Sequence, residues 1–166
     1  SDVLSDALIA KGYRPQPAYP LPLCNLNVKM RLTKPAREYS RVLNMENGEV
    51  SVVFKDGPSR VERSMFVSRA HDLVAYEITK TGAKSIDVRF SFGCADKFNA
   101  RTASAISKTP ESVNVKYENY FMYFSARSDN GTEFGAVAFV NYYGGSMKAD
   151  ENGLAVTGAD KVLVLV

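Results

Sequence analysis

Residues 49–79, EVSVVFKDGPSRVERSMFVSRAHDLVAYEIT, leave this chain little freedom in what it can fold into. Val50, Val52 and Phe54 recur at period two. Past Asp56-Gly57-Pro58, Val61, Met65 and Val67 follow the same alternation, and past Asp72 so do Val74, Tyr76 and Ile78. A period of two puts alternate side chains on one face of a sheet, the pattern of half-buried antiparallel strands. Turn residues at roughly 10-residue spacing make the stretch a meander rather than a helix–strand unit. The rest of the chain is expected to cover this sheet.

Length then sets the scale. A chain of 166 residues is most simply one domain, able to bury roughly 70% of its extended-chain surface. A formal charge of +3 is small, and the closest basic cluster, Lys29, Arg31, Lys34 and Arg37, is interleaved with apolar residues. That pattern is a solvated strand face and not a nucleic-acid footprint. No apolar run approaches the roughly 18 residues needed to span a bilayer as a helix, and no secretory signal is visible. Cys24 and Cys94 allow one bridge at most, and two buried free thiols are the default expectation.

Along the chain, residues 2–12 are the one plausible helix. Leu4 and Leu8 are four apart, Asp2 or Ser5 can cap the start, and Gly12 can end it. So short a helix must lean on something to persist. Four prolines, at 15, 17, 20 and 22, make the following stretch an extended linker. Residues 1–22 are thus a helix plus linker, and 23–166 the sandwich domain. Asn25–Leu32 alternates with Leu26, Val28, Met30 and Leu32 inward, and Arg37–Glu46 is a strand closed by Asn47-Gly48. Ser85–Phe92 is the clearest strand, with Ile86, Val88, Phe90 and Phe92 on one side. Ala95–Glu111 loses the alternation and reads as a long loop. Strands resume over Val113–Tyr117, Tyr120–Ala126, Phe134–Tyr143, Ser146–Ala149, Gly153–Thr157 and Lys161–Val166, and the small Gly135, Ala136 and Ala138 suit a facing sheet. So many short strands exceed one flat sheet, and the expected class is all-β, a two-sheet antiparallel β-sandwich with one short N-terminal helix.

Chemistry is sparse. One histidine and two distant cysteines do not make a metal site. Ser68, His71 and Asp72 are too close in sequence to converge as a triad, and read as a turn with a hydrogen-bonded histidine. Gly144-Gly145 does not open a helix that could hold phosphate. Asn130-Gly131-Thr132 fits a glycosylation sequon but is first a turn. Among Asp96, Glu111, Asp129 and Glu133 nothing selects a catalytic pair, and no catalytic residue is assigned. The aromatics say more: Tyr117, Tyr120, Phe121, Tyr123 and Phe124 crowd one hairpin, and Tyr142-Tyr143 follow. Alternation must turn some of these rings away from the core, where they can stack on sugars or partner proteins. Tyr142, Tyr143 and Tyr120 are the candidate carbohydrate-binding residues.

Several stretches in order resemble the amino-terminal β-sandwich domain of glycoside hydrolase family 95, the α-L-fucosidases and relatives. Tyr19-Pro20-Leu21-Pro22-Leu23-Cys24-Asn25-Leu26 is similar to that family's Tyr-Gln-Pro-Leu-Gly-Asp-Leu strand, with one extra residue and Cys24-Asn25 in place of Gly-Asp. Tyr39-x-Arg41-x-Leu43-Asn44-Met45 resembles its Tyr-x-Arg-x-Leu-Asp-Leu strand. Arg63-Ser64-Met65-Phe66-Val67-Ser68 with Asp72-Leu73-Val74 resembles its Arg-Glu-x-Phe-x-Ser…Asp-x-Val segment. Phe134, Gly144-Gly145 and Leu154-x-Val156-x-Gly158-Ala159-Asp160 fit the final part.

The resemblance implies that the catalytic acid and its partners lie in a following (α/α)6 domain of the same parent chain. The chain would then be a truncated or proteolysed piece of a periplasmic or secreted enzyme. That parent would hydrolyse terminal α-L-fucosyl or α-L-galactosyl linkages with inversion and without a metal or organic cofactor. The leading expectation is a non-catalytic accessory domain packing its aromatic face on that helical barrel. The alternative is a free-standing carbohydrate-binding module that stacks glycan on its tyrosines, and a third reading is an enzyme in its own right. Removal of a docking face is further expected to favour self-association.

Overall fold

The computed structural model describes residues 2–12, 23–82, 85–94, 112–128 and 131–166. The expected Pro-rich linker, the loop over 95–111 and Asn130 of the sequon lie outside these residues. A helix, α1 (Asp2–Ala10), precedes twelve strands. The first six are β1 (Asn25–Met30), β2 (Arg37–Leu43), β3 (Val50–Asp56), β4 (Ser59–Ser68), β5 (Leu73–Thr81) and β6 (Ile86–Gly93). They are followed by β7 (Ser112–Glu118), β8 (Phe121–Arg127), β9 (Glu133–Tyr143), β10 (Ser146–Asp150), β11 (Gly153–Ala159) and β12 (Lys161–Leu165).

Every strand pairing is antiparallel, and the strands divide into two layers. A four-stranded sheet has the order β1-β6-β11-β10, and an eight-stranded sheet the order β2-β3-β4-β5-β12-β9-β8-β7. The fold is therefore an all-β sandwich. β12 joins the two meanders of the large sheet, lying between β5 and β9.

The alternation read from residues 49–79 survives into the register. Phe54 opposes Val61, Val50 opposes Met65, Met65 opposes Tyr76, and Val67 opposes Val74. Opposed residues share a face, so all of these point to the inner side of the large sheet. On the small sheet, β6 buries Ile86, Val88, Phe90 and Phe92, and β11 adds Leu154 and Val156. Facing them are Met122, Phe124, Ala138, Val140, Val162 and Val164. Each large apolar side chain buried here contributes about 1.5–3 kcal/mol. Ala138 and Ala136 face the core, which gives the small sheet the close approach expected of them, whereas Gly135 is on the other face. The Tyr117 hydroxyl ties the layers together, accepting from the Phe92 amide at 3.2 Å.

Three expectations are corrected. The meander does not sit under the second sheet as a whole, because contacts between layers run from β6 to β8, β11 to β9 and β10 to β7. Phe54 of β3 and Val61 of β4 are buried, but cover runs out beyond them, leaving Leu43 at 55% and Val67 at 66% exposure and every residue of β2 exposed. In α1, Leu4 and Leu8 are exposed instead of leaning on the sandwich. Cys94 is exposed and Cys24 half-buried, because both stand at strand ends where cover runs out. No helix among the described residues is long and apolar enough to cross a membrane.

Candidate functional site

Two surfaces gather the side chains with chemical potential. The first is a cleft of about 350 Å³ between the layers, lined by Asn119, Tyr120, Tyr142, Met147, Lys148 and Ala149. The β7–β8 hairpin turns at Asn119, whose φ of 53° is tolerated by its short polar side chain. That turn carries Tyr120 past the end of β8, where its carbonyl accepts from the Val140 amide at 2.8 Å. Tyr142 lies opposite Val162 and so on the inner face, half-buried at the open end of the sandwich. The two rings stack with centroids 6.3 Å apart and planes 23° from parallel. Opposite them, β10 is the edge strand of the small sheet and supplies Met147 and Ala149 from its core-facing side.

Of the three candidate tyrosines, the structure brings together Tyr120 and Tyr142 only. Tyr143 opposes Lys161 on the outer face and is 56% exposed. Adjacent strand residues point to opposite faces, so the pair Tyr142-Tyr143 had to be split. Asn119, Met147, Lys148 and Ala149 carried no sequence signal, since only the packing of one sheet on the other brings them to the tyrosines.

The second surface is the outer face of the large sheet. Register sets Phe66 opposite Ala75, Ala75 opposite Leu165, Leu165 opposite Phe139 and Phe139 opposite Phe121. One apolar row thus crosses five strands on the side away from the core. Phe121 stacks with Tyr123 at 6.0 Å and meets Phe139 at 5.2 Å, and Phe66, Phe121, Tyr123 and Val137 are all exposed. Polar residues flank the row on one side: Lys161 pairs with Glu77 at 2.5 Å. Contiguous apolar area of this kind marks an interaction surface.

The charged groups elsewhere are structural. Asp56 is fully buried and Lys80 2% exposed, and they pair at 2.8 Å. Asp56 Oδ1 also accepts from the Thr33 amide and hydroxyl and from the Lys34 amide. Burial pushes this carboxyl up, but the bonds from Lys80, Thr33 and Lys34 outweigh it and hold the group well below the usual carboxylate range. Asp150, bonded by Arg89 and by the Asn152 amide, is also held low. On the inner face, the Arg63 guanidinium lies 5.5 Å from the centre of the Phe54 ring, a cation–π contact. Ser68 and His71 form the expected hydrogen-bonded turn, 3.0 Å between Oγ and Nδ1. No group of three or more His, Cys, Asp or Glu residues gathers among the described residues in a way that could hold a metal.

Comparison with known proteins places these surfaces in context. The family model described as the N-terminal domain of glycosyl hydrolase family 65 matches residues 4–166. Comparison with curated proteins gives no match. The family matched is 65, whereas the residue patterns suggested 95; the two readings share the coarser statement, an amino-terminal domain of a glycoside hydrolase. A match over almost the whole chain, on a fold of two antiparallel sheets, assigns it: the chain belongs to the glycosyl hydrolase family 65 N-terminal domain family.

Proposed function

We propose that this domain is a non-catalytic accessory module of a glycoside hydrolase, bracing the catalytic domain of the same parent chain through the outer face of its large sheet. The observation that carries this is the row Phe66–Ala75–Leu165–Phe139–Phe121, apolar across five strands and turned away from the core. A face of this kind, rimmed by charge, suits a folded partner that supplies its own apolar surface. Helices packed crosswise on the sheet would do so, as an (α/α)6 barrel could. The finer reading is a parent that acts on terminal α-L-fucosyl linkages in the periplasm or outside the cell. It is supported by the family 95-like segments around Tyr39, Arg63 and Leu154.

The test uses the whole parent enzyme carrying Phe121→Glu and Phe139→Glu together. Charges in a docked apolar face should lower its melting temperature and its turnover of a chromogenic fucoside, while the isolated domain keeps its fold by circular dichroism. A double variant with the stability and turnover of the unaltered parent would overturn the bracing role. Loss of turnover on every fucoside tried, with other glycosides cleaved, would overturn the specificity alone.

A second reading, glycan contact, is favoured by the Tyr120–Tyr142 cleft. An exposed tyrosine face with an amide and an ammonium beside it suits the apolar face and hydroxyls of a pyranose. Isothermal titration of the domain with fucosylated oligosaccharides should give saturable binding that Tyr120→Ala removes and Tyr143→Ala leaves intact.

A further inference from the structure

Cys24 and Cys94 are 70 positions apart in sequence, and each lies one residue beyond the last ladder pair of β1 with β6, Asn25 opposite Gly93. Continuing the antiparallel count sets the two cysteines opposite one another. Alternation also gives them one side. Cys24 follows Leu26, Val28 and Met30, and Cys94 follows Phe92, Phe90 and Val88, both sets facing the core. The Asn25 side-chain amide donates to the Cys94 carbonyl at 3.4 Å, fastening the end of β6 beside the start of β1. Opposed residues in an antiparallel pair have Cα atoms about 4.5 or 5.5 Å apart, both inside the range of about 4.4–6.8 Å that a disulfide needs.

We propose that Cys24 and Cys94 close a cross-strand disulfide that locks the edge strand β1 to β6. Both thiols are free in this structure, Cys24 half-buried and Cys94 exposed. Their burial orders the chemistry. The exposed Cys94, as its thiolate, attacks a low-molecular-weight disulfide such as oxidised glutathione, forming a mixed disulfide and releasing one glutathione thiolate. Cys24 then loses its proton to water, and its sulfur displaces the second glutathione from Cys94. Two protein thiols are oxidised and one glutathione disulfide is reduced to two thiols. Burial, and then the neighbouring Cys94, push the Cys24 thiol up, so the exposed Cys94 is the first to attack. The bridge encloses about 70 residues, a loop long enough for the cross-link to restrict the unfolded chain strongly. Such a bond persists in an oxidising compartment.

The purified protein, incubated with oxidised glutathione, is alkylated with N-ethylmaleimide before and after reduction and weighed by intact mass spectrometry. The expected product takes no alkyl group before reduction and two after it, and its digest contains one peptide pair joined through Cys24 and Cys94. Reduction should lower the melting temperature by about 5–15 °C, with no such change in Cys94→Ser. Glutathione retained on Cys94, a dimer linked between chains, or two alkyl groups taken up after oxidation would each overturn the bridge.

Discussion

Asp56 holds together three segments that are remote in sequence. Its two oxygens receive Lys80 from β5 and Thr33 and Lys34 from the connection after β1. Asp56→Asn removes the charge and leaves Lys80 buried without a counter-ion, and should cost about 3–5 kcal/mol, read as a lower urea midpoint. The same carboxyl sets an acid limit. Its folded affinity for protons is depressed below that of the unfolded chain, so its stabilisation is complete above the unfolded value of about 4 and lost progressively as pH falls below it. Melting temperature followed from pH 6 down to 2 should fall below about pH 4, and Asp56→Asn should flatten that fall. Phe90, fully buried at the centre of the small sheet, is a simpler case: Phe90→Ala should cost about 3–5 kcal/mol by the same measurement. Phe90 was legible in the sequence, from the alternation of Ser85–Phe92. Asp56 was not. Beside Gly57-Pro58 it reads as an ordinary turn residue, and its partners stand 22 to 24 positions away.

Among the elements, the β9–β10 connection is unforgiving. Gly145 has a φ of +71°, and a Cβ there would come within 2.1 Å of the Thr157 carbonyl oxygen on β11. The contact is with backbone, so no rotamer change relieves it. Gly145→Ala should destabilise the domain by more than about 2 kcal/mol and shift β10, widening the cleft it shares with Tyr120 and Tyr142. Chemical denaturation checks the first effect, and the near-ultraviolet circular dichroism of the tyrosines the second. Sequence reading found Gly144-Gly145 as a break and found the strands on either side, because turn chemistry and period two are local. It could not say which strand lies against which. The exposure of β2 on both faces and the meeting of β10 with the β7–β8 hairpin both depend on that order. A bulge between Arg37 and Ser40 and the charged Arg37, Glu38 and Arg41 blunt β2 as an edge.

For the molecule as a whole, the bare outer row sets solution behaviour. The isolated domain should associate as its concentration rises, seen as a growing sedimentation coefficient, and Phe66→Ser with Phe121→Ser should return it to a monomer while leaving the inner core unchanged. Alternation announced that rings would be exposed, but only the register lines them up across five strands. The position of β12 reaches further, into how the domain is made. Until β12 leaves the ribosome, β5 and β9 have no shared neighbour, and each half of the large sheet presents a raw edge. β12 is thus the keystone of the large sheet, and the two meanders wait for it as unpaired edges able to pair with other chains.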